Sequence, residues 1–361
     1  MKGRRPELDG VRALAALAVL AFHAVGYWGR AAGGEAAAQP WVGRLDVGVT
    51  IFFLLSGYLL YRPFLRGGVR LGEYAWRRFF RIVPAYWVAL TVAALVLPLR
   101  EVWDGVITFY GFLQTYRAES AGQGLGQAWT LCVEVAFYVF LPAWAWLTVR
   151  TRSIWPLVAL FAVSFAYKLV ILASASELVR PLDPALIALP AFLDHFALGM
   201  GLALLESHGA KPRGSWWWWI GAAAVFLLGS WGLGGARLDV YTHGEWFARH
   251  YLYGAVALCV LAPAVAGRGG PARVLGSWPL AKLGEISYGL YLYHLLVLML
   301  LARWGFGAWE SWLHPYVLWF VGAFAGSVVL ATLSWVLVER PLMALRPPAG
   351  RDARRARARR A

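Results

Sequence analysis

The sequence predicts an all-α polytopic integral membrane protein of about ten transmembrane helices with both termini in the cytoplasm. Three observations carry that prediction. Of 361 residues, 60% are hydrophobic and 21 are tryptophan, and the mean hydropathy is +0.57, too apolar for a soluble globule. Apolar stretches of roughly 18 to 22 residues recur, the length a helix needs to cross a hydrocarbon core of about 30 Å. Basic residues crowd into alternate loops, as membrane topology requires. The spans are helices because open sheet edges leave backbone groups unsatisfied in lipid.

The apolar segments fall near residues 11–29, 46–65, 84–99, 129–149, 154–173, 190–206, 215–235, 249–267, 285–302 and 315–338. The third is short, with a start anywhere within Arg81 to Pro84. Lys2, Arg4, Arg5, the stretch 66–81, Arg150, Arg152, Lys211, Arg213, the stretch 268–282 and the C-terminal tail lie on one side, which is therefore cytoplasmic. The opposite loops carry Arg30, Arg44, Arg100, Arg117, Arg180, Arg237, Arg249 and Arg303, mostly singly. The first segment has the basic start and Ala-rich exit of a signal peptide, but it is read as retained because it holds informative residues. Residues 1–345 form one membrane-embedded domain without a fixed-period repeat. Residues 346–361 read as a disordered basic tail, since Pro347 and Pro348 stop the last helix and the arginines suit anionic headgroups.

A net charge of +15 and a pI near 10.2 would suit nucleic acid, but topology accounts for the charge, so the expected partners are membrane lipids and no nucleic acid. Cys132 and Cys259 fall in apolar segments, where a thiol behaves as a small hydrophobe; neither a disulfide nor a metal site is expected.

A titratable side chain in hydrocarbon costs about 2.5 to 3.5 kcal/mol on insertion scales, so each needs a reason. The set is Arg12, His23, Glu134, Lys168, Asp194, His195 and His294. On one helix Arg12 and His23 differ by about 20° in azimuth and about 16.5 Å along the axis, so they share a face. Asp9 is placed as an N-cap or as a partner of Arg12. The Arg12–His23 separation resembles an extended pantetheine arm, with the cation on a phosphate and the imidazole at the thioester; an interhelical hydrogen bond is the bland account of His23. Ser56 and Gly57 permit close approach of a helix or a ligand. The segment Trp76 to Pro84 reads as a basic aromatic cytoplasmic loop whose Arg77, Arg78 and Arg81 suit a polyanion or simply the membrane surface. Glu134 shares a stripe with Tyr138 and Thr130, and either pairs with Lys168 or a histidine or takes part in catalysis or binding. Asp194 and His195 point apart as helix neighbours, so each is expected to pair elsewhere.

Six collinear fragments resemble the family 3 acyltransferases, membrane proteins that O-acylate cell-surface sugars and some secreted natural products. Glu7-Leu8-Asp9-Gly10-Val11-Arg12-Ala13 with His23 is similar to the LDGxRA start and its Arg, ten residues, His motif. Phe52 to Tyr58 is similar to FFxLSGY, Arg77 to Pro84 to RRxxRIxP, and Trp129 to Tyr138 to WSLxxExxFY. Ile286 to His294 is similar to ISYxxYLxH, and Glu339-Arg340-Pro341 to the closing ERP. Val135 and Ala136 depart from relatives with an acidic residue or glutamine there, and the chain resembles stand-alone members without an extracytoplasmic hydrolase-like domain.

The resemblance implies a multi-pass enzyme of the bacterial plasma membrane that moves an acyl group, usually acetyl, from acyl-CoA to a hydroxyl of a glycan, glycolipid or glycosylated natural product. Acyl-CoA acts as co-substrate and no cofactor is held permanently. His23 is implied as general base or acyl carrier, with His294 and Glu134 orienting the imidazole or the acceptor. Arg12, Arg77, Arg78 and Arg81 would hold CoA phosphates, while Asp9, Ser56, Gly57, Trp129 and Tyr138 support the site. The competing reading is a proton-coupled transporter or flippase in which His23, Glu134, Lys168 and His294 relay protons.

Overall fold

The computed structural model describes residues 5–31, 41–233, 240–306 and 314–345. The tail expected at 346–361 lies outside the described residues. The chain is a helical membrane bundle. Its long helices are α1 (Pro6–Ala31), α2 (Val47–Arg66) and α3 (Leu71–Val96), followed by two short ones, α4 (Arg100–Asp104) and α5 (Val106–Tyr110). Then come α6 (Trp129–Thr148), α7 (Trp155–Ser174), α8 (Leu189–Ser207), α9 (Trp217–Gly232) and α10 (His243–Ala266). The remainder is α11 (Gly270–Leu275), α12 (Trp278–Glu285), α13 (Ser287–Arg303), α14 (Pro315–Ser334) and α15 (Arg340–Met343), with a π-turn at Trp335–Glu339. Two-residue strands β1 (Leu178–Val179) and β2 (Tyr241–Thr242) pair antiparallel and clip two loops together.

Among the described residues eight helices are long and apolar enough to cross a membrane, or nine if α12 and α13, bent by 71°, count as one span. The sequence-based expectation of about ten counted 215–235 as a full span, whereas α9 covers only 16 residues. Three boundaries also differ. Helix α3 begins at Leu71, so the expected basic loop is helical: neither proline nor glycine falls between Glu73 and Val83, and Glu73 accepts from Arg77 one turn on at 2.5 Å. Helix α10 begins at His243 because Thr242 and Glu245 form a capping box, which moves Arg249 from the expected loop into the helix. Helix α1 begins at Pro6, so Asp9 lies in its first turn and does not cap it.

Helix α1 is the hub, packed against α2, α10, α11, α12, α13 and α14. This position explains why its alanine-rich face is buried while α14 shows valines and leucines outward as a lipid-facing helix does. Helices α2 and α8 share the most extensive contact. A Cβ on Gly57 would collide with the Phe196 carbonyl, and one on Gly199 with the Leu54 carbonyl, so two small residues let the backbones touch. Arg5 fastens one end of the bundle, donating to Tyr58 on α2 (2.7 Å) and to the Ala264 and Val265 carbonyls on α10 (2.7 and 2.8 Å).

Candidate active site

Helix α1 presents Arg12 and His23, and α13 brings His294 beside His23. The imidazoles meet Nε2 to Nδ1 at 3.1 Å, with ring centroids 4.9 Å apart. Backbone acceptors assign the tautomers. His294 Nδ1 lies 2.7 Å from the Tyr291 carbonyl, which only accepts, so that nitrogen carries the proton and Nε2 keeps a lone pair. His23 Nδ1 lies 2.9 Å from the Val19 carbonyl, so it too is an N–H, shared with His294 Nε2. The lone pair of neutral His23 is therefore on Nε2. His294 is 1% exposed, and its Nε2 accepts from His23 Nδ1–H.

Two cavities adjoin at Tyr291 and Val49; His23 lines the wider one, and His294 lines neither. One is a narrow slot of about 80 Å³ lined by Arg12, Arg78, Arg81, Ser56, Glu134 and Tyr138 among apolar side chains of α2. Arg12 pairs with Asp9 at 2.9 Å. Arg78 lies 5.9 Å from the Tyr138 ring centre, and its buried Nε has no hydrogen-bond partner among the described residues. Ser56 Oγ and Tyr138 Oη both donate to Glu134 Oε1 at 2.7 Å. The other cavity is wide, about 570 Å³, and its wall includes His23, Gln127, Trp129, Arg180, His195 and Trp246. Tyr291 and Val49 line both. Arg12 and His23, both on α1, thus open into different cavities that share a wall. Gln127 helps to fix that wall, donating to the Tyr291 and Leu292 carbonyls at 3.2 and 2.7 Å.

The sequence-predicted residues sort by these cavities. His23 and His294 come together; Glu134 bonds neither and lies in the cationic slot, not paired to Lys168 or a histidine. Arg12, Arg78 and Arg81 converge there, whereas Arg77 points to an exposed pair with Glu73 and lines neither cavity. Trp129 forms wall of the wide cavity, packed on Phe192 at 5.7 Å. Gly57 serves helix packing, and Asp9 holds Arg12.

Sequence reasoning missed the groups contributed by α10. Lys168, fully buried, forms an ion pair with Asp194 and lies 2.8 Å from His250 Nε2, which is also 3.0 Å from Asp194. His250 stacks on His195 at 4.0 Å and on Trp246 at 5.3 Å, making a column along the wide cavity. In the sequence His250 falls at the edge of the apolar stretch 249–267, where a histidine is unremarkable; its position inside a capped helix is what reveals it. Asp194, His195 and His250 bring their ligand atoms within 4.8 Å of one another, a spacing a metal ion would accept. The Lys168 ammonium already supplies the cation that this carboxylate needs. A second missed network ties Asp46 to Arg249 and to Tyr253 Oη.

Comparisons with known proteins bear on the family. The chain is 28% identical to nodulation protein 10 of Rhizobium leguminosarum bv. viciae, over 95% of both chains. It is 28% identical to acyltransferase MdmB of Streptomyces mycarofaciens, over 94% of this chain and 89% of that one. A part of it, 38%, is 30% identical to 24% of peptidoglycan O-acetyltransferase OatA of Listeria monocytogenes. No solved structure matches. The family model described as an acyltransferase domain covers residues 5–336, nearly the whole chain; the chain is therefore a multi-pass membrane acyltransferase and belongs to the family 3 acyltransferases.

Proposed function

We propose that this enzyme moves an acyl group, in the simplest case acetyl, from acyl-CoA to a hydroxyl of a carbohydrate-containing or natural-product acceptor at the bacterial plasma membrane. The observation that carries the reading is the His23–His294 pair, with His23 lining a wide aromatic cavity that shares Tyr291 and Val49 with a cationic slot. Arg12, Arg78 and Arg81 suit the phosphates of the donor, whose arm runs down the slot toward Tyr291. The wide cavity, with Trp129 and Trp246 as flat apolar faces and His23, Gln127 and Arg180 as polar groups, suits a hydroxylated ring. Loop charges support a cytoplasmic donor entrance and an acceptor reaching its cavity from the other face.

In this mechanism the acceptor hydroxyl gives its proton to His23 Nε2 as its oxygen attacks the thioester carbonyl carbon. His23 becomes an imidazolium, and its Nδ1–H bond to neutral His294 Nε2 holds the ring while the charge exists. Collapse of the tetrahedral adduct breaks the carbon–sulfur bond, and the thiolate takes the proton from His23. Ester and free CoA thiol are the products. The relatives, among them an acyltransferase and a peptidoglycan O-acetyltransferase, support group transfer to oxygen. The test is thiol release from acetyl-CoA by the protein in nanodiscs with a panel of glycosides. Acceptor-dependent release is expected; no release with any acyl-CoA would overturn the donor assignment.

A further inference from the structure

Glu134 is a carboxylate in a slot otherwise built to attract phosphate, and the histidine mechanism does not use it. Its surroundings state what it can bind. Ser56 and Tyr138 both donate to Oε1, leaving Oε2 without a hydrogen-bond partner among the described residues. Oε2 is also absent from the fully buried unpartnered atoms, so it is open to the slot that Glu134 lines. An ionised carboxylate only accepts hydrogen bonds, so its ligand must bring an N–H or O–H. Phosphate is repelled by it. Phe52, Phe53, Leu55 and Leu59 are apolar walls of the same slot, and an amide carried between such walls needs a partner for its N–H.

We propose that Glu134 binds the donor by accepting a hydrogen bond from one pantetheine amide N–H at Oε2. This rests on the donor assignment above. The two tethers on Oε1 fix the carboxylate plane, so the bond sets how far the arm slides past the arginines toward His23. Glu134 is then a donor-binding residue that registers the thioester, and it transfers no proton. The same phosphopantetheine arm occurs in CoA and on acyl carrier proteins, and the Glu134 contact is common to both.

The experiment compares acetyl-CoA with two analogues, in each of which one pantetheine amide N–H is replaced by an ester oxygen, on the wild-type enzyme and on Glu134→Gln. In the Gln variant Ser56 and Tyr138 retain an oxygen acceptor and the slot faces an NH₂ group, a donor where an acceptor is needed. One analogue should raise the wild-type donor KM about tenfold or more, the scale of a hydrogen bond to a charged group. Glu134→Gln should raise the KM for acetyl-CoA by a similar factor and show no further loss with that analogue. Multiplying losses would overturn the contact, as would a Gln variant that loses kcat with an unchanged donor KM. If the Gln variant is not recovered folded, the wild-type comparison decides: equal KM for acetyl-CoA and both analogues overturns the proposal. Absence of turnover of acetyl-CoA by the wild type would instead refute the donor assignment itself. Acetyl-CoA turnover that a purified acetyl carrier protein matches or exceeds would keep the contact and assign the arm to the carrier.

Discussion

Removing one member of the Lys168–Asp194 pair should destabilise the protein far more than removing both. Both side chains are 0% exposed, and Asp194 also holds His250, which packs on His195 in the wall of the wide cavity. Asp194→Leu leaves an ammonium buried without its counter-charge, and Lys168→Met leaves the carboxylate in the same condition. Breaking a buried pair costs about 3–5 kcal/mol, whereas replacing both partners by apolar groups of similar volume is often close to neutral. The double variant Lys168→Met with Asp194→Leu should therefore be more stable than either single variant, with a coupling of about 2 kcal/mol or more. Unfolding in mixed micelles, followed by tryptophan fluorescence, measures the three differences. Single losses below about 0.5 kcal/mol, or losses that simply add, would refute the view that these charges depend on each other.

His294→Phe keeps an aromatic ring but removes one of the two acceptors of His23 Nδ1–H, leaving only the Val19 carbonyl, so kcat should fall by about 10²-fold with the donor KM unchanged, as steady-state kinetics with acetyl-CoA would show. Arg12→Ala and Arg78→Ala should each raise the donor KM about tenfold and leave the acceptor KM alone, while Arg77→Ala, an exposed partner of Glu73, should stay within about twofold. Gly199→Val drives a side chain into the Leu54 carbonyl and should sharply reduce the folded yield in detergent extracts. A reporter fused after Ala361 should be cytoplasmic and one inserted near Gly122 extracytoplasmic; the opposite pair would reverse the donor entrance.

Hydropathy and loop charge made the helical membrane class legible, because lipid leaves the backbone few options. Span limits were less so. Apolar length cannot separate α9, at 16 residues, from a full crossing, nor reveal the 71° bend before α13. The start of α3 was hidden because arginines at Arg77, Arg78 and Arg81 look like loop, although their long stems let them sit on a helix while the charged ends reach polar surroundings. Helical periodicity correctly put Glu134 beside Tyr138. What periodicity cannot give is contact between helices. The meeting of His23 with His294, and of Lys168 with Asp194 and His250, depends on how α1, α7, α8, α10 and α13 pack.

The central claim is that His23 Nε2 moves the proton of the acceptor hydroxyl. His23→Gln adds no charge to α1 and should insert and purify like the wild type. Acceptor-dependent thiol release from acetyl-CoA by that variant, in nanodiscs at matched protein, is the direct measurement. A positioned general base contributes about 10² to 10⁴-fold, so the account predicts at most about one per cent of wild-type turnover. Turnover within a few fold of wild type in the well-folded Gln variant would contradict it and remove His23 from the chemistry.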